Sequence, residues 1–284
     1  MIFTSAALFV VIGNDIMKQN KKISQKTEAA RFRAHFGCGP STCSDLWKRI
    51  DPSEVPDNSK PEHLLWGLML LKLYCAESVL CTLAGGAHEQ TFRKWSWTFA
   101  EAISELQCSV ILWENRFVGD IGNECLVSVD GTDFQIYQWK PFWKGWFSHK
   151  FKGPGVRYEV GVCIRTGSIV WFNGPFPCGK WPDINTFRQG MKHCLRTGEK
   201  VQADLGHRGE ALLIVTPDET SDTGRAVQAR HETINKRFKQ FAILHRVFRH
   251  DVRKHQVVFG AVAVITQLAI EHGEPLYQVD CRET

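Results

Sequence analysis

The hydrophobic pattern of this 284-residue chain changes near Cys125, and this change constrains the fold more than any other feature. Before it, apolar residues recur at helical spacing in Pro61–Tyr74 and Glu89–Leu106. After it, short apolar runs bounded by glycine-containing turns are typical of strands. Strands that come first and then alternate with helices predict an α/β fold, a mixed sheet flanked by helices and preceded by a helical region.

The second half of the chain is predicted to consist of six short strands, the first four in two pairs joined by tight turns, and three helices. Gly131 and Thr166–Gly167 are predicted to be turns within the first two strand pairs. The predicted strands are Cys125–Val129, Phe134–Trp139, Tyr158–Arg165, Ser168–Asn173, Val201–Asp204 and Ala211–Val215, and the predicted helices are Asp183–Leu195, a long helix capped by the cluster Thr220–Thr223, and Val252–Ile270.

The first half contains a possible helix-turn-helix. Cys75–Leu83 and Glu89–Leu106 are predicted helices on either side of Gly85–Gly86. The second helix of such a pair can enter the major groove of DNA, with Arg93 and Lys94 exposed near its start. An antiparallel helix pair that only packs together explains the same pattern equally well. Both interpretations remain open from the sequence.

Positive charge is concentrated in two segments, although the net charge of the whole chain is only +5. Residues 225–255 contain nine Arg and Lys against two acids, and residues 139–157 contain five basic residues and no acid. Focused charge of this kind favours a polyanionic partner such as DNA. In the second segment, Trp139 and other aromatic residues alternate with lysines, which suits stacked bases beside neutralised phosphates. A hydrophobic plug with its lysines extended into solvent explains it as well, and the candidate DNA contacts are Trp143, Trp146, Lys150 and Lys152.

Cysteine usage and hydropathy indicate an intracellular, reducing location without a membrane span. The ten cysteines, of which Cys281 is the last, are spread through the chain without a Cys-x-x-Cys pair, so we expect reduced thiols and no zinc site. The apolar run Ile2–Ile12 is shorter than the ~20 residues that a membrane-spanning helix needs. It is therefore predicted to be a first buried helix.

Three acidic residues, Asp130, Asp204 and Glu232, are the candidate catalytic and metal-binding groups. Both aspartates follow apolar runs predicted to be strands, and Glu232 lies in a basic helical segment. Reactive groups gather outside the carboxyl ends of strands in open sheets, so the two aspartates could face one cleft. Carboxylate oxygens suit Mg²⁺, and a pair of such ions can clamp the attacking and leaving oxygens of a displacement at phosphorus.

Two of these acids, Asp130 and Glu232, also have an ordinary structural explanation. An aspartate that precedes Gly131 after an apolar run is most often part of a turn. Glu232 can form an intrahelical pair with Lys236, worth about 0.2–0.5 kcal/mol. In a functional site, phosphate would instead be contacted by residues on the same helix face as Glu232, namely Asn235, Lys236 and Lys239. Spacing alone leaves this choice open.

Five segments follow one another in a characteristic order: Leu126–Asp133, His149–Val160, Asn173–Asp183, Ala203–Gly209 and Arg230–Lys239. In this order and spacing they resemble DDE-type transposases of the PIF/Harbinger kind, or endonuclease-like proteins derived from them. The segment Phe92–Trp95 also resembles the helix-turn-helix region that precedes such domains.

The resemblance implies a helical region at residues 1–115 and a ribonuclease H-like catalytic domain at residues 116–284. It implies that Asp130, Asp204 and Glu232 form a catalytic triad that holds two Mg²⁺ or Mn²⁺ ions, nicks DNA at element ends and transfers the freed strand. The implied partners are DNA and a Myb-like DNA-binding protein in the nucleus, and a homodimer is also expected.

Two positions refine this expectation. Asp183 matches a further acidic position of such domains, and we expect it to support loop geometry rather than to bind metal. His207 stands where related sequences frequently have an aromatic residue. The alternatives to an active nuclease are a catalytically silent DNA-binding protein derived from a transposase and an unrelated enzyme whose carboxylates coincide by chance.

Overall fold

The computed structural model describes residues 5–19, 21–118, 125–138, 141–216 and 222–274. Four sequence-based interpretations fall on positions outside these residues: the start of Ile2–Ile12, Trp139, the cap at Thr220 and the thiol of Cys281. None of the helices in the described ranges is long and apolar enough to cross a membrane.

The helices and strands are defined here in chain order. The helices are α1 (Ala6–Ile16), α2 (Gln25–Phe36), α3 (Pro40–Arg49), α4 (Pro61–Leu73), α5 (Glu77–Leu83), α6 (Glu89–Glu105), α7 (Gln107–Val110), α8 (Asp183–Gln189), α9 (Asp222–Lys239), α10 (Ala242–His245) and α11 (Lys254–Glu271). The strands are β1 (Cys125–Gln135), β2 (Phe147–Ser148), β3 (Gly153–Cys163), β4 (Ile169–Pro177), β5 (Lys200–Ala203) and β6 (Ile214–Val215).

The chain divides into two compact units. The first comprises Met1–Val110, Phe238–Arg246 and Arg253–Glu274, and the second comprises Ile111–Arg237, Val247–Val252 and Pro275–Thr284. The last two helices, α10 and α11, thus belong to the helical first unit, whereas the sequence interpretation assigned all residues after 115 to the catalytic domain.

The first unit packs its helices around α4, which is buried on nearly every face. Pro61 occupies the first turn of α4, as predicted, because proline has no N–H to lose there. On α6 the predicted apolar stripe is buried and includes Phe92 and Phe99. Trp95 of the same stripe stacks on the ring of His63 with 3.9 Å between centroids. Gly85 and Gly86 have φ angles of +81° and +83° between α5 and α6, which confirms the predicted glycine turn.

The second unit is built on a mixed sheet, as predicted. β1 pairs with β3 antiparallel and with β5 parallel, β4 and β2 lie on the other side of β3, and β6 extends the sheet parallel to β5. The turn between β3 and β4 contains Gly167 at φ +76°, which confirms that predicted turn. Apolar side chains from β1, β5 and α8 form a buried cluster that includes Val127, Val201 and Phe187.

The predicted turn at Gly131 is wrong, because β1 runs unbroken through it. Gly131 pairs with Glu159 of β3, so Asp130 lies inside a strand instead of at its end. A Cβ atom on Gly131 would overlap with Oδ1 of Asp183. The glycine therefore makes room for a neighbouring carboxylate and does not reverse the chain.

Other predicted bounds also differ. α8 ends at Gln189, because Gly190 leaves helical geometry at φ −124° and ψ −91°, and a separate 3₁₀ turn follows over Met191–Cys194. β6 contains only Ile214–Val215 of the predicted strand. In the first unit, α2 and α3 had not been predicted.

Candidate active site

A cavity of about 250 Å³ in the second unit is lined by residues of β1, β5 and α9 and by the residue that follows β5. The parallel register places Val129 beside Ala203, so Asp130 and Asp204, the next residue in each case, are neighbours. The cavity is lined by Ser128, Val129, Asp130, Gln202, Ala203, Asp204, Val227, Gln228, His231 and Glu232. All three predicted catalytic carboxylates therefore border one space.

Asp130 is the most enclosed of the three carboxylates. Its Oδ2 atom accepts a hydrogen bond of 2.9 Å from Nδ2 of Asn235. Burial raises the pKa of Asp130, and the negative charge of Asp204 raises it further, against smaller opposing effects that include the Asn235 bond. Removing the carboxylate from water and placing it beside a like charge both disfavour ionisation. A cation in this space would relieve both penalties.

Asp204 begins the turn that follows β5 and is held there by two donors. Its Oδ1 atom accepts hydrogen bonds from the backbone N–H of Gly206 at 2.9 Å and from Nδ1 of His207 at 3.0 Å. The bond with His207 lowers the pKa of Asp204, partly opposed by burial. His207 is buried and meets the ring of Phe187 edge-on at 6.5 Å between centroids. The imidazole thus fills an apolar position while it orients the second carboxylate.

We expect the contribution of His207 to stability to depend on pH. Burial opposes protonation of His207, but its bond with Asp204 and the nearby charges of Asp183 and Glu159 raise its pKa above the ordinary 6.5. Because folding raises the pKa of His207, its protonation stabilises the folded state fully below pH 6.5. This stabilisation is lost as the pH rises through the folded-state pKa. Because folding lowers the pKa of Asp204, the stabilisation from its ionised carboxylate is present above pH 3.8 and is lost as the pH falls through the folded-state pKa.

The free energy of unfolding is measured for the wild type and for His207→Gln at about pH 5.5 and about pH 9, one value on each side of the histidine titration. The difference between the two proteins should be larger at the lower pH. His193→Gln changes an exposed histidine and serves as the control. Equal differences at both pH values would show that the Asp204–His207 pair is not charged as described.

Glu232 lies on α9 and is the most exposed of the three acids, with 67% of its side chain accessible. Its Oε2 atom is 3.4 Å from Nζ of Lys236, so the intrahelical pair considered from the sequence is present. Glu232 also borders the cavity. Both interpretations of this residue are therefore compatible with its position.

Asp183 lies beside both aspartate-bearing segments. Its Oδ1 atom forms an ion pair with Arg157 at 3.0 Å, and Arg157 also holds Asp133 through bonds of 2.7 and 3.1 Å. A Cβ atom on Gly206 would lie 3.0 Å from Oδ2 of Asp183, and one on Gly131 would overlap with Oδ1. Two glycines, one and two residues after the candidate aspartates, thus accommodate one carboxylate, which agrees with a supporting role for Asp183.

We expect Gly131→Ala to displace the carboxylate of Asp183 and to lower the free energy of unfolding by about 1–3 kcal/mol, as overpacking generally does. Urea unfolding measures this loss. Gly153→Ala is the matched control, because the atoms nearest to a Cβ on this glycine of β3 are 3.8 Å away. In a double-mutant cycle, Asp183→Ala should recover much of the loss. Additive effects of the two substitutions would contradict the described packing.

The predicted DNA contacts occupy separate places. Trp143 is 48% exposed and meets Trp146 edge-on at 5.8 Å. Lys150 and Lys152 are exposed on the approach to β3. None of these four residues borders the cavity.

The remaining predicted contacts lie on helices. On α9, Lys236 is exposed and Lys239 is half-buried at the last position, while the amide of Asn235 is bonded to Asp130. On α6 of the first unit, Arg93 forms an ion pair of 2.5 Å with Glu77, and Lys94 lies 5.1 Å from the ring of Trp95.

The carboxylates have the donor chemistry for a divalent cation, but each is now bonded to a local donor. Within the described ranges, no three His, Cys, Asp or Glu side chains are grouped closely enough to hold an ion as they stand. Asp130 is bonded to Asn235, Asp204 to His207, and Glu232 is paired with Lys236. The buried Oδ1 atom of Asn235 has no hydrogen-bond partner among the described residues. The residue types fit Mg²⁺ or Mn²⁺, and ion binding has to compete with these bonds.

Four polar residues that line the cavity were missed in the sequence analysis, although spacing contained a signal for three of them. Ser128 and Gln202 lie two residues before the aspartates and so share their strand faces. Gln228 lies four residues before Glu232, one helical turn away. The fourth residue, His231, lies immediately before Glu232.

Comparisons of the chain with models of protein families, with curated proteins and with solved structures found no match. The functional conclusion therefore depends on the residues of this site and on the resemblance of the five sequence segments.

Proposed function

We propose that this protein is a metal-dependent DNA endonuclease or transposase of the PIF/Harbinger DDE type, in which Asp130, Asp204 and Glu232 hold divalent ions. The observation that carries the proposal is that these three acids, separated by 74 and 28 residues, line one cavity. The alternative explanations, of Asp130 as a turn residue and of Glu232 as a surface residue, do not require the three acids to lie around one cavity.

The sheet supports a ribonuclease H-like identity for the second unit. Three antiparallel strands, β1, β3 and β4, are followed by helix α8 and by β5 and β6, which are parallel to β1. The first acid lies on the central strand, the second follows the adjacent parallel strand, and the third is on the next long helix. This order agrees with the arrangement that the sequence resemblance implies.

In the proposed mechanism the protein supplies ligands, orientation and phosphate contacts. Bound Mg²⁺ would activate the attacking water and neutralise charge that develops at phosphorus. Asn235 holds the Asp130 carboxylate from α9, and His207 holds that of Asp204. The exposed ammonium group of Lys236 lies beside Glu232 and can pair with a phosphate of the substrate.

The aromatic-basic segment at residues 141–152 supplies a second contact with DNA in this proposal. Phe142 and Trp143 are 45% and 48% exposed, and Lys144, Lys150 and Lys152 are exposed with them. A buried plug would hide these rings. Exposed indole and phenyl rings can stack on unpaired bases at about 1–3 kcal/mol per base, while the lysines neutralise phosphates.

The test is nicking of supercoiled plasmid and strand-specific cleavage of duplex oligonucleotides by the purified full chain. Each reaction is run with Mg²⁺, with Mn²⁺ and with EDTA. We expect cleavage that requires the metal and leaves a 3′ hydroxyl. Cleavage that persists in EDTA would overturn the proposal. DNA binding without cleavage, also in the presence of a Myb-like partner, would indicate a silent DNA-binding protein derived from a transposase.

A further inference from the structure

His231 lies at the centre of the contacts between α9 and the sheet. It is 4% exposed and lines the cavity together with the three acids. Its Nδ1 atom is 3.0 Å from Oγ of Ser128 on β1, two residues before Asp130. Asn235 and Arg230 make the neighbouring contacts of α9, to Asp130 and to the carbonyls of Ile164 and Arg165. The imidazole therefore occupies a fixed place beside the catalytic strand.

The hydrogen bonds of Ser128 define the tautomer of His231. The hydroxyl of Ser128 has one hydrogen, which it donates to the carbonyl oxygen of Val162 at 3.3 Å. If both contacts are hydrogen bonds, the Ser128 oxygen accepts a hydrogen from Nδ1 of His231, and this condition assigns the tautomer. The proton of the neutral ring is thus on Nδ1, and Nε2 has a free lone pair. Nε2 is buried and has no hydrogen-bond partner among the described residues.

A buried acceptor without a partner costs about 1–3 kcal/mol unless a ligand or water satisfies it. A histidine whose Nδ1–H is held by a second group while Nε2 is free has the arrangement that metal-binding histidines generally adopt. The neighbouring side chains of the cavity are Asp130, Asp204 and Glu232. Their negative charges favour a cation over a neutral ligand at this position.

We propose that Nε2 of His231 is a nitrogen ligand of a divalent cation at this site, held in place by Ser128. This inference rests on the proposed metal centre and adds a donor of a different chemical type to its three carboxylates. Imidazole nitrogen is a softer donor than carboxylate oxygen. Compared with three carboxylates alone, the site should therefore shift in preference from Mg²⁺ toward transition-metal ions such as Co²⁺ and Mn²⁺.

The probe is Mn²⁺ alone, added to the full-length protein without DNA. Titration gives its affinity, and electron spin echo spectroscopy of the bound Mn²⁺ detects a directly coordinated nitrogen. His231→Asn retains an amide that can donate to Ser128 in place of Nδ1 but deletes Nε2. His193→Asn makes the same change at an exposed histidine. Asp130→Asn tests whether the ion occupies the proposed centre.

We expect nitrogen modulation in the wild type and in His193→Asn, its loss in His231→Asn, and a fall in Mn²⁺ affinity of at least ~10-fold in that variant. Ser128→Ala should weaken Mn²⁺ binding by about 10-fold, since it frees the ring. Binding that depends on Asp130 but shows no nitrogen modulation would overturn this inference and leave the metal centre intact. Absence of Mn²⁺ binding in the wild type would overturn both.

A second variant keeps the test decisive if His231→Asn fails to fold. His207 is the other imidazole bonded to a predicted ligand, Asp204. Nitrogen modulation that persists in both His207→Gln and His193→Asn excludes these two imidazoles and leaves His231, the histidine in the lining of the cavity, as the ligand. Modulation that disappears in His207→Gln, with Mn²⁺ still bound, would instead assign it to His207 and refute the proposal.

Discussion

Asp130→Asn is expected to lower metal-dependent DNA cleavage by at least ~10³-fold, because loss of a ligand removes several kcal/mol of charge stabilisation and each 1.4 kcal/mol is about tenfold. Rates of plasmid nicking in Mg²⁺ measure this loss. The substitution keeps the size of the side chain, and the amide oxygen of asparagine can still accept the bond that Nδ2 of Asn235 donates.

The same substitution should not destabilise the protein. Burial and the charge of Asp204 raise the pKa of Asp130, so the folded state binds this proton more tightly than the unfolded chain. At neutral pH the ionised carboxylate therefore opposes folding, and a neutral asparagine removes this cost. We expect the free energy of unfolding of Asp130→Asn to equal or exceed that of the wild type. A variant that is inactive because it is unfolded would contradict this account of the site.

The largest effect on stability is expected from Arg116→Met. Arg116 is 1% exposed and bonds Glu199 through Nε at 2.6 Å and Nη2 at 3.1 Å. Its guanidinium lies 4.1 Å from the ring centre of Trp113 and 3.9 Å from that of Phe117. Removal of one partner leaves a buried, uncompensated carboxylate, which costs about 3–5 kcal/mol. Because β5 begins at Lys200, directly after Glu199, the segment that ends in Asp204 should loosen as well.

Urea unfolding of the full chain measures this loss. Arg196→Met is the control, since Arg196 pairs with Glu114 at the surface with 62% and 67% of the side chains exposed. Exposed pairs of this kind contribute roughly 0–1 kcal/mol. The double variant Arg116→Met/Glu199→Met should recover part of the stability, because apolar side chains often replace a buried ion pair without loss. Equal losses from Arg116→Met and Arg196→Met would refute the buried pair.

Local sequence patterns predicted the helices and turns that depend mainly on residues close together in the sequence. The apolar spacing and Pro61 identified α4, and the glycine pair at 85–86 identified the turn before α6. The missed helix α2 carried weaker signals. Its cap Ser24 accepts a bond of 3.2 Å from the N–H of Thr27, and Gly37 ends it at φ +87°. Its polar composition hid the helical period.

Contacts between distant residues could not be predicted in this way. Gly131 resembles a turn residue after Asp130, and only the register with Glu159 and the approach of Asp183 explain a glycine inside a strand. Residue type and spacing were enough to nominate three acids for one site. The bonds of Asn235 to Asp130 and of His231 to Ser128 span 105 and 103 residues, and they depend on how α9 packs against the sheet.

The role of Glu232 is the most open of the three acids. It is either a metal ligand of the proposed site or a surface residue that only pairs with Lys236. Glu114 offers a matched control in the same unit, since its side chain is also 67% exposed and also paired with a basic residue. The most direct measurement is plasmid nicking in Mg²⁺ by Glu232→Gln beside Glu114→Gln. We expect Glu232→Gln to lose cleavage and Glu114→Gln to retain it. Equal cleavage by the two variants would contradict a catalytic centre built from Asp130, Asp204 and Glu232.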